Sequence, residues 1–170
     1  MSSAHQNLSL NKMVNASSLD HFSFTVITAE WNNRITFALE AGCVHTLKQN
    51  GAKDENIRIL RVPGSWELIS AARWATQLQK NGAVICIGAV IKGDTPHFEY
   101  ICQGLTSGLA QLNAQQDIPV IYGVLTVNTM EQAEERCGGK HGNKGDEAAY
   151  TAIKMALLRQ ELHESSPHNS

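Results

Sequence analysis

No stretch of the 170-residue chain approaches the roughly 18 consecutive apolar residues that a membrane-spanning helix needs, so no such span is expected. The opening residues, MSSAHQNLSLNK, lack the charged and apolar regions of a signal peptide, which makes the cytoplasm the expected location. Charge of one sign is missing too. A formal net charge of -2 gives nucleic acid or an anionic membrane no reason to bind, and any ligand phosphate must be held locally. The four cysteines, Cys43, Cys86, Cys102 and Cys137, form no CxxC pair, and core thiols are expected. The seven histidines include no pair at i, i+4 and no companion cluster of ligands, which argues against a metal site. Neither common nucleotide fingerprint is present. The turn AEWNN lacks GxGxxG, and the basic, glycine-rich GGKHGNKG lacks GK[ST] and follows a helix rather than a strand. No internal repeat or linker breaks the chain, whose length suits one core and one domain.

What is there centres on Val84 to Leu112. VICIGAVI is eight residues, nearly all apolar and rich in β-branched types, which suits a strand buried on both faces of a parallel sheet. Thr95 then reads as a helix N-cap with Pro96 at the first helical position. Phe98, Ile101, Cys102, Leu105, Leu109 and Leu112 follow at helical spacing on one face. A strand that ends in Gly93, Asp94 and Thr95 and turns into a helix aims free N–H groups and a positive dipole end at one place, which favours an anion such as phosphate. His97 lies in the first turn of that helix. A neutral imidazole there could take up a proton, or the ring could simply bond a neighbouring loop.

The same reading applies along the chain. Residues 1–20 are polar and aperiodic and are expected to form a flexible arm, residues 21–162 the folded domain, and residues 163–170 a disordered tail. Strands are expected at 22–29, 57–62, 84–91 and 118–125. Helices are expected from Glu30–Asn33 to Gly51, from Trp66 to Asn81–Gly82, from Pro96 onward, from a capping box at Asn128–Glu131 to Gly138–Gly139, and from Asp146 to Leu162. Fourfold alternation of strand and helix predicts an α/β fold, a single-domain three-layer α/β/α sandwich on a four-stranded parallel sheet. Ligands of such folds bind outside the carboxyl ends of the strands. Trp31, Gly64 to Glu67 and Gly93 to His97 fall at those ends. Read alone, Trp31 either stacks on a planar heterocycle or caps the core, and Glu67 either holds a ligand or complements a helix dipole. Gly104 and Gly108, four apart, point to close helix packing rather than chemistry. A phosphoacceptor receiver domain is excluded, because it needs a cluster of acids after the first strand where this chain has Glu30 alone.

These features recur in one order: Trp31-Asn32, Gly64-Ser65-Trp66-Glu67, Gly88 through Tyr100, Pro119 through Thr126, Glu131-Gln132-Ala133 and Gly142-Asn143-Lys144-Gly145. The set, from residue 22 to about 160, strongly resembles the 6,7-dimethyl-8-ribityllumazine synthases. The resemblance implies a flavodoxin-like fold and the condensation of 5-amino-6-(D-ribitylamino)uracil with 3,4-dihydroxy-2-butanone 4-phosphate, with no cofactor or metal. By position in the family's motifs, Trp31 would stack on the pyrimidine, Ser65 and Glu67 would hold the ribityl chain beside Trp66, and the backbone of Val90 and Ile91 would face the heterocycle. Gly93, Asp94 and Thr95 would bind the butanone phosphate, and His97 would transfer protons. The family implies a homo-oligomer, a pentamer or twelve pentamers in a shell of sixty, with riboflavin synthase a candidate partner. The short turn from Arg136 to Lys144 looks like the shell-forming kind. An adjacent subunit would complete each site with Tyr122 over the ring, Arg136 on the phosphate and Lys144 at the pyrimidine. Asp94 departs from the pattern by setting an acid beside the phosphate loop, so its side chain must turn away to cap the helix. The alternative is a non-catalytic cage that binds ribityl pyrimidines or flavins on the same fold.

Overall fold

A computed structural model describes residues 19–78 and 82–165. Eleven elements follow one another: β1 (Phe24–Ala29), α1 (Asn33–Gln49), β2 (Ile57–Val62), α2 (Leu68–Leu78), β3 (Ala83–Ile91), α3 (His97–Gln115), β4 (Val120–Val127), α4 (Met130–Glu134), β5 (Cys137–Gly139), β6 (Gly142–Asn143) and α5 (Lys144–Ser165). The long strands form one parallel sheet in the order β2-β1-β3-β4, the architecture that the alternation predicts. Because the chain leaves β1 toward β2 and returns to β3 on the other side, the topological switch lies between β1 and β3.

Side-chain alternation along the central strands divides the core in two. Phe24 and Val26 of β1 with Ile85 and Ile87 of β3 face Ile35, Leu39 and Cys43 of α1 and Ala149 and Ile153 of α5. Ile27, Val84, Cys86 and Val124 face Leu68 and Ala72 of α2 and Leu105 and Leu109 of α3. The sheet is thus covered on both faces, as strands of continuous apolar sequence require. Helix approach depends on missing side chains. A Cβ on Gly104 would lie 2.5 Å from the Trp66 ring and one on Gly108 2.7 Å from Ile69, so both glycines serve helix packing as their spacing predicts. Gly145 does the same for α5 on α1, since a Cβ there would stand 1.9 Å from the Leu39 carbonyl oxygen. The acids nearly buried on this side, Glu40 and Glu147, pair with Arg61 and Lys144.

Several boundaries differ from the sequence reading. Pro96, with φ -63° and ψ 0°, stands at the cap of α3, and no side-chain oxygen caps it, so neither Thr95 nor Asp94 does so. Proline's fixed φ brings the chain into the helix without a capping side chain. At α4 the cap sits one residue later, at Thr129, and the returning side-chain bond reaches the residue before it. Thr129 Oγ1 accepts from the Gln132 N–H at 3.3 Å, and Gln132 Oε1 accepts from the Asn128 N–H at 2.8 Å. That helix ends at Glu134, short of Gly138, because the chain turns into the β5–β6 hairpin. Gly138 and Gly142 have φ of 123° and 72° there, which explains two of the four glycines of GGKHGNKG. Helix α5 starts at Lys144 and runs to Ser165, taking in the first residues of the expected tail. Residues 166–170 and the arm up to residue 18 lie outside the described residues, and so does Asn81. Leu19 is fully buried in the core on the α1 side. Cys43 and Cys86 are core thiols, whereas Cys102 and Cys137 are only partly buried.

Candidate active site

At the carboxyl edge of the sheet, on its α2 and α3 side, a cleft of about 910 Å³ opens over the switch point. Three loops supply its walls: the β1–α1 turn, the β2–α2 turn and the end of β3 with the loop into α3. Trp31, Ser65, Trp66, Glu67, Val90, Ile91, Gly93, Thr95 and His97, all singled out from the sequence, line it together. Asp94 is exposed on the same loop but does not face the cleft.

The first wall is fastened from both sides. The N–H groups of Glu30 and Trp31 donate to the carbonyls of Val62 and Pro63 at 2.8 and 3.0 Å, tying the turn to the end of β2. Asn32 then adopts φ 60° and ψ 40°, starts α1 by accepting from the N–H groups of Ile35 and Thr36, and donates Nδ2–H to the Ala89 carbonyl of β3 at 2.9 Å. Trp31 is left 74% exposed, which settles it as a cleft wall rather than a cap on the core.

In the second wall, Ser65, Trp66 and Glu67 form the turn into α2, with the Leu68 and Ile69 N–H groups donating to the Ser65 and Trp66 carbonyls. Ser65 is buried because β3 carries Gly88, where a Cβ would lie 2.7 Å from Ser65 Oγ. The Glu67 carboxylate folds back toward Gly64, 3.1 Å from where a Cβ would be. In the third wall, the Lys92 N–H donates to the Val127 carbonyl, and its ammonium pairs with Glu99 at 3.1 Å in the first turn of α3. The backbone N–H of Glu99 itself, and after it the Lys92 pairing, hold the Glu99 carboxyl below the usual range. Pro96 at the cap of α3 offers no capping side chain and only the Glu99 N–H turns to its own carboxylate, so the other first N–H groups, with Gly93 and Thr95, form an end suited to an anion.

Tyr122, Arg136 and Lys144 are not in this cleft. Tyr122 stands on the edge strand β4 with its hydroxyl 3.1 Å from Thr106 Oγ1 of α3. Burial against α3 pushes its phenol pKa up, while the Thr106 bond works against that. Arg136 and Lys144 do come together, at the base of the hairpin, where the Lys144 N–H donates to the Arg136 carbonyl at 2.9 Å. Arg136 Nη1 donates to the Gln132 carbonyl, and Lys144 Nζ bonds Glu147. Asn143 anchors this base by donating to the Ala38 carbonyl of α1 and accepting from the Gly145 N–H. Two further lining residues, Tyr100 and Ile101, were read from the sequence only as part of a motif and of an apolar helix face, with no place in the site. Their signal was the helical offset from His97, which puts them three and four residues on.

Among the described residues no helix is long and apolar enough to cross a membrane, and no group of three or more potential metal ligands is present. The model of the family described as 6,7-dimethyl-8-ribityllumazine synthase matches residues 21–160. A protein of that name from Phocaeicola vulgatus is 50% identical over 165 residues, 97% of this chain and 98% of its own length. One from Bacteroides fragilis is 61% identical over 132 residues, 78% of this chain and 92% of its own, and one from Parabacteroides distasonis is 48% identical over 155 residues, 91% and 97%. A cleft at the switch point and matches along almost the whole chain agree with the order of motifs, and this chain belongs to the 6,7-dimethyl-8-ribityllumazine synthase family.

Proposed function

We propose that this chain is a transferase of riboflavin biosynthesis that condenses 5-amino-6-(D-ribitylamino)uracil with 3,4-dihydroxy-2-butanone 4-phosphate, releasing phosphate and water to give 6,7-dimethyl-8-ribityllumazine. The observation that carries this is the gathering of Trp31, Ser65, Glu67, Gly93, Thr95 and His97 around one cleft in a chain of that family. The reaction asks little beyond holding two substrates together and moving protons, and orientation alone is worth up to several kcal/mol, about 7 or more in well-aligned cases.

In this reading the pyrimidine stacks on Trp31 against the Val90–Ile91 backbone, and the ribityl hydroxyls bond Ser65 and Glu67 beside Trp66. The phosphate sits on the N–H groups of the Gly93-Asp94-Thr95 loop and the start of α3, with the exposed Asp94 carboxylate held outward. The amine of the pyrimidine attacks the ketone carbon and water leaves as the imine forms. His97 moves the protons of phosphate loss and of ring closure, in which the ribitylamine nitrogen adds to the remaining carbonyl and a second water leaves, with no cofactor needed. Tyr122, Arg136 and Lys144 serve the site of an adjacent copy in a pentamer, or in a shell of twelve pentamers. Their place outside the chain's own cleft supports that sharing. The product would pass to riboflavin synthase in the cytoplasm.

The test is to mix the purified protein with both substrates and follow the fluorescent lumazine against an enzyme-free control, since the condensation proceeds slowly unaided. Acceleration over the control is expected. Binding of the ribityl pyrimidine without acceleration would overturn the proposal in favour of a non-catalytic cage, and neither binding nor acceleration would overturn both.

A further inference from the structure

Asn32 is the one non-glycine residue at positive φ among the described residues, and it lies inside the cleft wall. An asparagine pays little for the left-handed region, yet such conformations persist only where the surroundings hold them. What holds this one is visible. A helix N-cap asparagine ordinarily turns its side chain onto the N–H groups of its own helix, and Asn32 makes no such bond. Its amide instead crosses the switch point to the Ala89 carbonyl at 2.9 Å. The donor assignment is forced, because a carbonyl oxygen can only accept. The β1–β3 pairing stops at Thr28 opposite Ile87, so Ala89 lies beyond the last β1 partner. The Asn32 side chain thus adds one hydrogen bond of ladder type where the strand has run out.

Two walls of the cleft are joined by that bond. On one side is Trp31, whose own N–H is tied to Pro63. On the other are Val90 and Ile91, directly after Ala89. We infer that Asn32 is a positioning residue for the planar ring of the substrate: its left-handed turn and its bond to Ala89 set the gap between the Trp31 ring and the end of β3. This rests on the proposed function for the identity of the ring. The phosphate loop at Gly93 to Thr95 lies on the far side of Ile91 and receives no bond from Asn32, so the two substrates respond differently.

Two variants separate the elements of the inference. Asn32→Gly keeps the positive φ at no steric cost and removes the amide, while Asn32→Asp keeps shape and turn tolerance but sets a carboxylate oxygen against the Ala89 carbonyl. The probe is a ribitylaminopyrimidine lacking the reactive 5-amino group, titrated by calorimetry, alongside turnover with both substrates. Each variant is expected to weaken probe binding by about tenfold and to raise the pyrimidine KM likewise, with the butanone phosphate KM unchanged and the thermal midpoint close to that of the unaltered chain. Unchanged probe affinity in both variants, or equal losses for both substrates, would overturn the inference while leaving the proposed function standing. An unaltered chain that neither binds the probe nor turns over would overturn the two together.

Discussion

His97 opens α3 at the mouth of the cleft, exposed and within the same lining as Gly93 and Thr95. A group in that place, free of a structural partner in the core, is removable without cost to folding. His97→Ala is expected to lower kcat by roughly 100-fold or more, the range of general acid–base catalysis, with the melting midpoint unchanged; steady-state kinetics and a thermal scan check both. Arg136→Ala is expected to raise the KM for the butanone phosphate, because a guanidinium clamps phosphate in a charge-assisted pair, and to leave the pyrimidine KM alone. At this scale the sequence was informative for residues at strand ends, since Trp31, Ser65, Glu67 and His97, each open to a plain structural reading alone, line one cleft. It was uninformative for Asn32, whose partner Ala89 is 57 residues away and follows from no local pattern.

Elements were legible where periodicity or punctuation was strong. β2 lies at residues 57–62 as read, bounded by Asn56 and Pro63. The start of α4 was ambiguous on its face, because Asn128 has Glu131 three residues on and Thr129 has Gln132, and both pairs read as a capping box. The helix is capped by Thr129. The β5–β6 hairpin left no trace, since strands of three and two residues are too short to show alternation. Gly145, beside it, is where an added methyl group does most harm. Gly145→Ala would drive a Cβ into the Leu39 carbonyl, and a loss of about 3 kcal/mol in denaturant unfolding is expected as α5 is pushed off α1. The far end of α5 has a weaker, pH-dependent tie. Arg159 and His163 both bond Asp117 on the α3–β4 connection, and Arg159 above all holds that carboxyl below its usual range. A depressed folded-state value means the tie is fully present above the unfolded pKa, about 3.9, and is lost as pH falls through the folded one. Asp117→Asn should therefore cost at most about 1 kcal/mol at neutral pH, discounted for solvent exposure, and nothing at the acid end. Melting of the two proteins across pH checks the sign.

On the scale of the whole molecule, the layered fold followed from alternation alone, whereas the proposed sharing of the site between copies did not. No pattern in one chain tells a residue of its own cleft from one that serves a neighbour. The structure separates them by position: the Trp31 to His97 set faces the switch-point cleft, while Tyr122 lies on the β4 edge and Arg136 and Lys144 on the hairpin base. Head-to-tail contacts generate rings where their rotation closes, and in the proposed pentamer a residue on one flank of each chain would meet the cleft of the next. The direct test of a lumazine synthase site made by two chains is complementation. His97→Ala and Arg136→Ala proteins, each nearly inactive in lumazine formation when the butanone phosphate is held far below the raised KM of the Arg136 variant, are unfolded together, mixed in equal amounts and refolded. Random assembly gives about one quarter of the sites an intact His97 from one chain and an intact Arg136 from its neighbour, and recovery of activity on that scale is predicted. Activity no greater than the sum of the separate variants would contradict the shared site, and place both residues in the service of one chain.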